Sequence, residues 1–399
     1  MTESNASAPV VAPPLERIAQ LDGLRALAAM AVVWVHYWRH PHDNLVAVVP
    51  WLSELLMAND RLLQMVWPRG WSHPGVILFI VLSGFCIHLP QAGRPERVVN
   101  LKGFFWRRFF RIYPVYLFAL GLGFVANAWL APRGNMWVQP QPGSLGAVVP
   151  AILGGPAFWP WPRPLGNTIL HTVLAEMGLY LLYPALLALV RRWGWALLLG
   201  ASAAVSIATM YYTQTTRSER AEWAFTSTWA FLFFWWLGAF AAEQRARGRV
   251  LPAGRFWLWT AVLLGAHLVF NTWVRFPAMS LLTGPWVAEM LGPRFEGAAL
   301  INGPMFALLC MLLLWHVDHV RLGRSAVVDL LVWIGERSYS LYAVHMPTMG
   351  LTLWLLQRTG PWPLWCWLTA PLVAVALMAL ACYYLVEAPG MRLGRKRTN

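Results

Sequence analysis

Ten separate stretches of this chain stay apolar for about as long as a helix needs to cross 30 Å of hydrocarbon, roughly 20 residues each. They run over about 23–40, 75–90, 112–131, 167–190, 195–212, 226–242, 256–273, 301–317, 330–356 and 365–386, separated by Pro, Gly or Arg clusters. That pattern leaves few folds open. Backbone groups in lipid are satisfied only within a helix or around a closed barrel, and stretches of this length fit helices. The expectation is an all-α integral membrane protein, about ten transmembrane helices in one bundle. Composition decides the same way: 12% of the 399 residues are charged, against about 25% in soluble chains. The 26 Trp suit a chain that meets the lipid–water boundary many times.

The loops alternate in charge. One set carries 19 Lys and Arg and the opposite set 10, so the positive-inside rule puts both termini in the cytoplasm. The net charge of +14 therefore records topology, and nucleic acid is not an expected partner; membrane lipid is. Residues 1–20 read as a disordered cytoplasmic tail, 21–388 as one transmembrane domain and 389–399 as a basic cytoplasmic tail. The first apolar run has no small-residue cleavage site behind it, so no signal peptide is expected. Cys86, Cys310, Cys366 and Cys382 lie far apart in apolar runs and read as small buried side chains, with no metal-ligand spacing. The long outer segments 37–74, 132–166 and 274–300 are rich in Trp, Pro and Gly. They suit either a pocket that opens outward or inert connectors.

The first span, in "LDGLRALAAMAVVWVHYW", holds Arg25 and His36. They lie about 20° apart around a helix and about 16 Å apart along it, which puts them on one stripe. Ionisable groups in a membrane are costly unless they face water or a partner. Two readings stand. In the structural one Arg25 reaches the inner headgroups and His36 bonds to a neighbouring helix. In the functional one they mark a polar path inside the bundle, with His36 as a group able to take a proton from a hydroxyl near neutral pH.

Other polar residues within spans narrow the choice. Glu176 sits in "LHTVLAEMGLYLLYP", and Tyr342 and His345, three apart on one helix face, in "SYSLYAVHMP". Ser83 and Gly84, in "FIVLSGFCIH", read first as a small pair that lets helices approach, since no strand–turn–helix nucleophile elbow surrounds the serine. In the loop "KGFFWRRFFRIYP", Arg108 and Arg111 share a face at the cytoplasmic mouth of the third span. They are either a solvated topology signal or an anion clamp, because arginine forks match phosphate oxygens bidentately.

Taken together these fragments resemble the acyltransferase-3 family of integral membrane acyltransferases, through the whole chain. Arg25 and His36 match the family's Arg, ten residues, His signature. "FIVLSGF", "RRFFRIYPVY", "SYSLYAVH" and "VEAP" before a basic tail follow in the family's order. One element departs: "HTVLAEMGLY" keeps Glu176 and Tyr180 but has His171 where the family commonly has tryptophan and Met177 in place of a second glutamate. The resemblance implies a multi-pass O-acyltransferase of a bacterial cytoplasmic (inner) membrane. It moves an acyl group, usually acetyl, from cytoplasmic acyl-coenzyme A to a hydroxyl of a sugar, glycan or related small-molecule acceptor at or across the membrane. Acyl-coenzyme A enters as co-substrate, and no permanently bound cofactor is expected. On this reading Arg107, Arg108 and Arg111 hold the donor's phosphates, and Arg25 steadies the donor or the developing oxyanion. His36 is general base or a transient acyl carrier. Ser83, Glu176, Tyr342 and His345 line the pocket or orient His36. The main rival is a transporter or flippase using Arg25, His36 and Glu176 as a substrate or proton path. A membrane scaffold for glycan assembly is a third reading.

Overall fold

The computed structural model describes residues 19–39, 66–68, 71–94, 96–130, 145–158, 167–216, 224–275, 297–320, 323 and 325–396. The tail 1–18, much of the three long outer segments and residues 397–399 lie outside the described residues. Within them the chain is helical, with no strand. The first half supplies α1 (Ala19–Arg39), α2 (Pro74–His88), α3 (Leu101–Leu130), the short α4 (Leu145–Leu153), α5 (Leu170–Trp193) and α6 (Trp195–Thr215). The second half supplies α7 (Thr228–Ala246), α8 (Ala253–Arg275), α9 (Gly297–Trp315), α10 (Ala326–Glu336), α11 (Ser338–Thr359), α12 (Leu364–Cys382) and α13 (Ala388–Lys396). Among the described residues, five segments are long and apolar enough to cross a membrane: Leu101–Trp129, Leu170–Trp193, Trp195–Thr213, Ala253–Asn271 and Leu364–Arg395. Pro74–His88 and Leu300–Trp315 are shorter apolar helices.

Each of the ten expected stretches falls on helix, with three differences. The basic loop before the third span is helical: Asn100 caps α3 by accepting from the Gly103 N–H at 2.9 Å. No proline interrupts the helix before Pro114, so Arg107, Arg108 and Arg111 stand on its first turns. The stretch 330–356 is two helices, α10 and α11, broken at Arg337. Gly335 lies so close to the α1 backbone that a methyl there would fall 1.9 Å from the Asp22 carbonyl oxygen. The Arg337 guanidinium lies over the rings of Trp333 at 4.1 Å and Tyr383 at 4.6 Å. The break is thus made by tertiary contact, which apolar periodicity does not carry. Finally, most of the stretch read as a basic tail is α13, joined to α12 by a π-helical turn at Tyr383–Glu387 and packed on α3.

The centre of the bundle is the crossing of α2 and α7. A methyl on Gly84 would sit 1.9 Å from the Trp235 carbonyl oxygen, and one on Gly238 would sit 1.8 Å from that of Val81. The two backbones touch because each offers the other a glycine, and Trp235, Trp236, Phe85 and Tyr183 are buried around the crossing. Gly84→Ala and Gly238→Ala are each expected to destabilise the detergent-solubilised protein by about 1–3 kcal/mol or more, the cost of overpacking a closed core. Gly121→Ala and Gly200→Ala, with nothing within 4 Å of the added carbon, should hold or slightly raise the thermal midpoint. Equal losses at all four positions would contradict the crossing.

Candidate active site

α2 crosses the bundle beside α1, and the groove it forms with α3, α5 and α11 is a cavity of about 870 Å³, open solvent at its mouth included. Along α2 the lining runs from Val76 to Ile87, which is about 16 Å of helix, so the cavity is a deep slot. Its ends differ. Arg25 of α1 and Arg108 and Arg111 of α3 meet near Cys86 at one end, while Val76, Phe79 and Thr172 line the other.

At the cationic end Arg25 is held by Asp22, which accepts from Nη1 at 2.5 Å, and Nη2 donates to the Cys86 sulfur at 3.1 Å. Asp22 is itself buried. Its spacing three residues before Arg25 is the signal that sequence reading passed over. The Arg108 guanidinium lies 5.7 Å over the Tyr180 ring and 6.0 Å from that of Phe104, and its Nε has no hydrogen-bond partner among the described residues. Arg107, one position earlier and so about 100° around α3, is exposed and off the lining. Asp22 offsets Arg25, which leaves Arg108 and Arg111 against the carboxyl of Glu176, so this end of the slot stays cationic.

The middle of the slot is a hydroxyl–carboxyl knot. Ser83 Oγ and the Tyr180 hydroxyl both donate to Glu176 Oε1, each at 2.5 Å, and the Trp235 indole donates to Ser83 Oγ at 3.3 Å. The Ser83–Gly84 pair thus serves both packing and the cavity, on adjoining faces of α2 about 100° apart. At the deep end the Tyr342 hydroxyl is 2.5 Å from Thr172 Oγ1 and donates to the Ile169 carbonyl at 3.3 Å.

Tyr342 also leads to the histidines. Its ring packs on His345 with centroids 5.7 Å apart, and its carbonyl oxygen is 2.6 Å from His345 Nδ1. His345 Nε2 is 3.0 Å from His36 Nδ1. A carbonyl only accepts, so neutral His345 carries its hydrogen on Nδ1 and presents the Nε2 lone pair. His36 then donates from Nδ1, and its own lone pair lies on Nε2. His36 does not line the slot. The stripe expected along α1 is divided: Arg25 faces the cavity, and His36 is reached through Tyr342 and His345 of α11.

Residues 18–386 match the family described as acyltransferase domain. The chain belongs to the acyltransferase-3 family. It is a membrane-embedded, multi-pass acyltransferase. Among curated relatives it is similar to nodulation protein 10 of Rhizobium leguminosarum bv. viciae, 26% identical over an alignment of 396 residues that covers 93% of each chain. It is also similar to the peptidoglycan O-acetyltransferase OatA of Listeria monocytogenes, 24% identical over 370 residues. That match takes in 86% of this chain and 51% of the relative, so the acyltransferase-3 chain spans about half of OatA. No solved structure matches this chain significantly.

Proposed function

We propose that this acyltransferase moves an acyl group, acetyl in the first instance, from cytoplasmic acyl-coenzyme A to a hydroxyl of a sugar, glycan or related acceptor. The setting is a bacterial inner membrane crossed about ten times, with both termini in the cytoplasm. The observation that carries the reading is the slot itself, cationic at one end and ending one residue layer from a bonded pair of imidazoles. Arg108 and Arg111 bind the donor's phosphates, which need fixed cations with forked geometry. Arg107, outside the slot, adds long-range attraction. Arg25, about 16 Å from His36 along α1, serves the donor and is too far from the imidazole to reach an oxyanion beside it. Ser83, Glu176 and Tyr180 face the thioester arm midway.

At the deep end His36 Nε2 takes the proton of the acceptor hydroxyl as its oxygen attacks the thioester carbonyl. The tetrahedral intermediate collapses, the C–S bond breaks and the departing thiolate receives the proton. His345 shares the charge that His36 gains, through the 3.0 Å bond between the two rings. The Tyr342 ring must turn aside to join the two compartments. Full-length protein in detergent, given acetyl-coenzyme A and a glycan acceptor, is expected to release free thiol and acylated glycan. An intact thioester would favour the transporter reading.

A further inference from the structure

The slot is graded along its length in a way that bears on which acyl group it takes. This argument rests on the donor reading above. With phosphates at Arg25, Arg108 and Arg111 and the arm passing Ser83, Glu176 and Tyr180, the acyl group arrives at the far end. There the walls change to Val76 and Ile80 of α2 and Val173 of α5, all buried. Phe79 meets Tyr342 edge to face, ring centroids 5.8 Å apart. Until transfer turns it aside, Tyr342 is held at this end: its ring packs on the fully buried His345 and its hydroxyl is tied to Thr172. With that ring in place, Phe79, Val76 and Tyr342 bound the apolar end of the slot.

We infer that Phe79 and Val76 are specificity-determining residues that limit the donor to short-chain acyl thioesters. The chemistry is steric: an acetyl methyl ends against the Phe79–Tyr342 wall, and each further methylene has to displace packed side chains. A closed apolar pocket discriminates by about 10–200-fold per methylene. Phe79 meets substrate by shape alone and leaves the proton chemistry to the histidines.

The test is direct binding, which requires no acceptor. The full chain in detergent is titrated with acetyl-, butyryl- and hexanoyl-coenzyme A. The unaltered chain should bind the acetyl thioester at least about tenfold more tightly than the hexanoyl one. Phe79→Leu and Val76→Ala, at separate positions on the wall, should each bring the two within about threefold, chiefly through tighter binding of the hexanoyl thioester. Equal affinity of the unaltered chain for all three thioesters overturns the inference, as does an unchanged ratio in both variants. Should the unaltered chain bind none of the three, the donor reading itself falls and takes this one with it.

Discussion

Replacing His36 with alanine is expected to slow acyl transfer by a factor of about 10² to 10⁴, the range that a positioned general base contributes. The fold should barely register the change. The His36–His345 bond at 3.0 Å joins α1 to α11, and interhelical hydrogen bonds in membranes average only about 0.6 kcal/mol. His345→Gln separates the two roles. His345 acts through His36, holding its Nδ1–H and hence the lone pair on Nε2, so it is a positioning residue. Its loss should cost about 10²-fold or less and alter the pH–rate profile, because the partner that shares the proton has gone. Initial rates of thiol release across pH, beside thermal midpoints, read both effects. A His36→Ala enzyme that keeps a wild-type rate would exclude proton abstraction at this site.

The sequence carried this site unevenly, and the reasons are physical. Arg25 and His36 were legible because one helix fixes their phase, and an ionisable stripe in an apolar run has few explanations. Tyr342 and His345 were legible on the same ground. The sequence did not show that the His36 imidazole meets the His345 imidazole across 309 residues, or that Glu176 ends the hydrogen bonds of Ser83 and Tyr180. Such pairings depend on how helices dock, and periodicity within one helix says nothing of that. The break at Arg337 was hidden for the same cause: α10 and α11 together read as one largely apolar stretch, and the interruption comes from the α1 backbone against Gly335. Conversely, the helical start of α3 was masked by its charge. Seven residues into α3, a run of arginines reads as a loop if helix is equated with apolar, yet Arg and Lys are good helix formers. That misreading matters, because one continuous helix turns Arg107 outward while it brings Arg108 and Arg111 into the slot.

The same geometry makes reversal of those charges the second large expectation. Arg108→Glu with Arg111→Glu should weaken binding of acetyl-coenzyme A by about 10²-fold or more, since each lost hydrogen bond to a charged group is worth about 1.5–3 kcal/mol and the new carboxylates repel phosphate beside Glu176. Arg107→Glu is the internal control. It is equally basic and adjacent in sequence but exposed, so salt screens it at about 8–10 Å and its reversal should cost less than about threefold. Acetyl-pantetheine, which keeps the thioester arm and lacks the nucleotide phosphates, should bind the double variant as it binds the unaltered chain. Arg108→Gln with Arg111→Gln repeats the test without added negative charge. A clamp predicts losses that follow phosphate and the slot-facing positions, whereas a mere topology signal predicts losses that follow net charge, equal at 107 and 108. If acetyl-pantetheine is lost as severely as the coenzyme A ester, the arginines hold the fold of the slot and have no direct hold on the donor's phosphates.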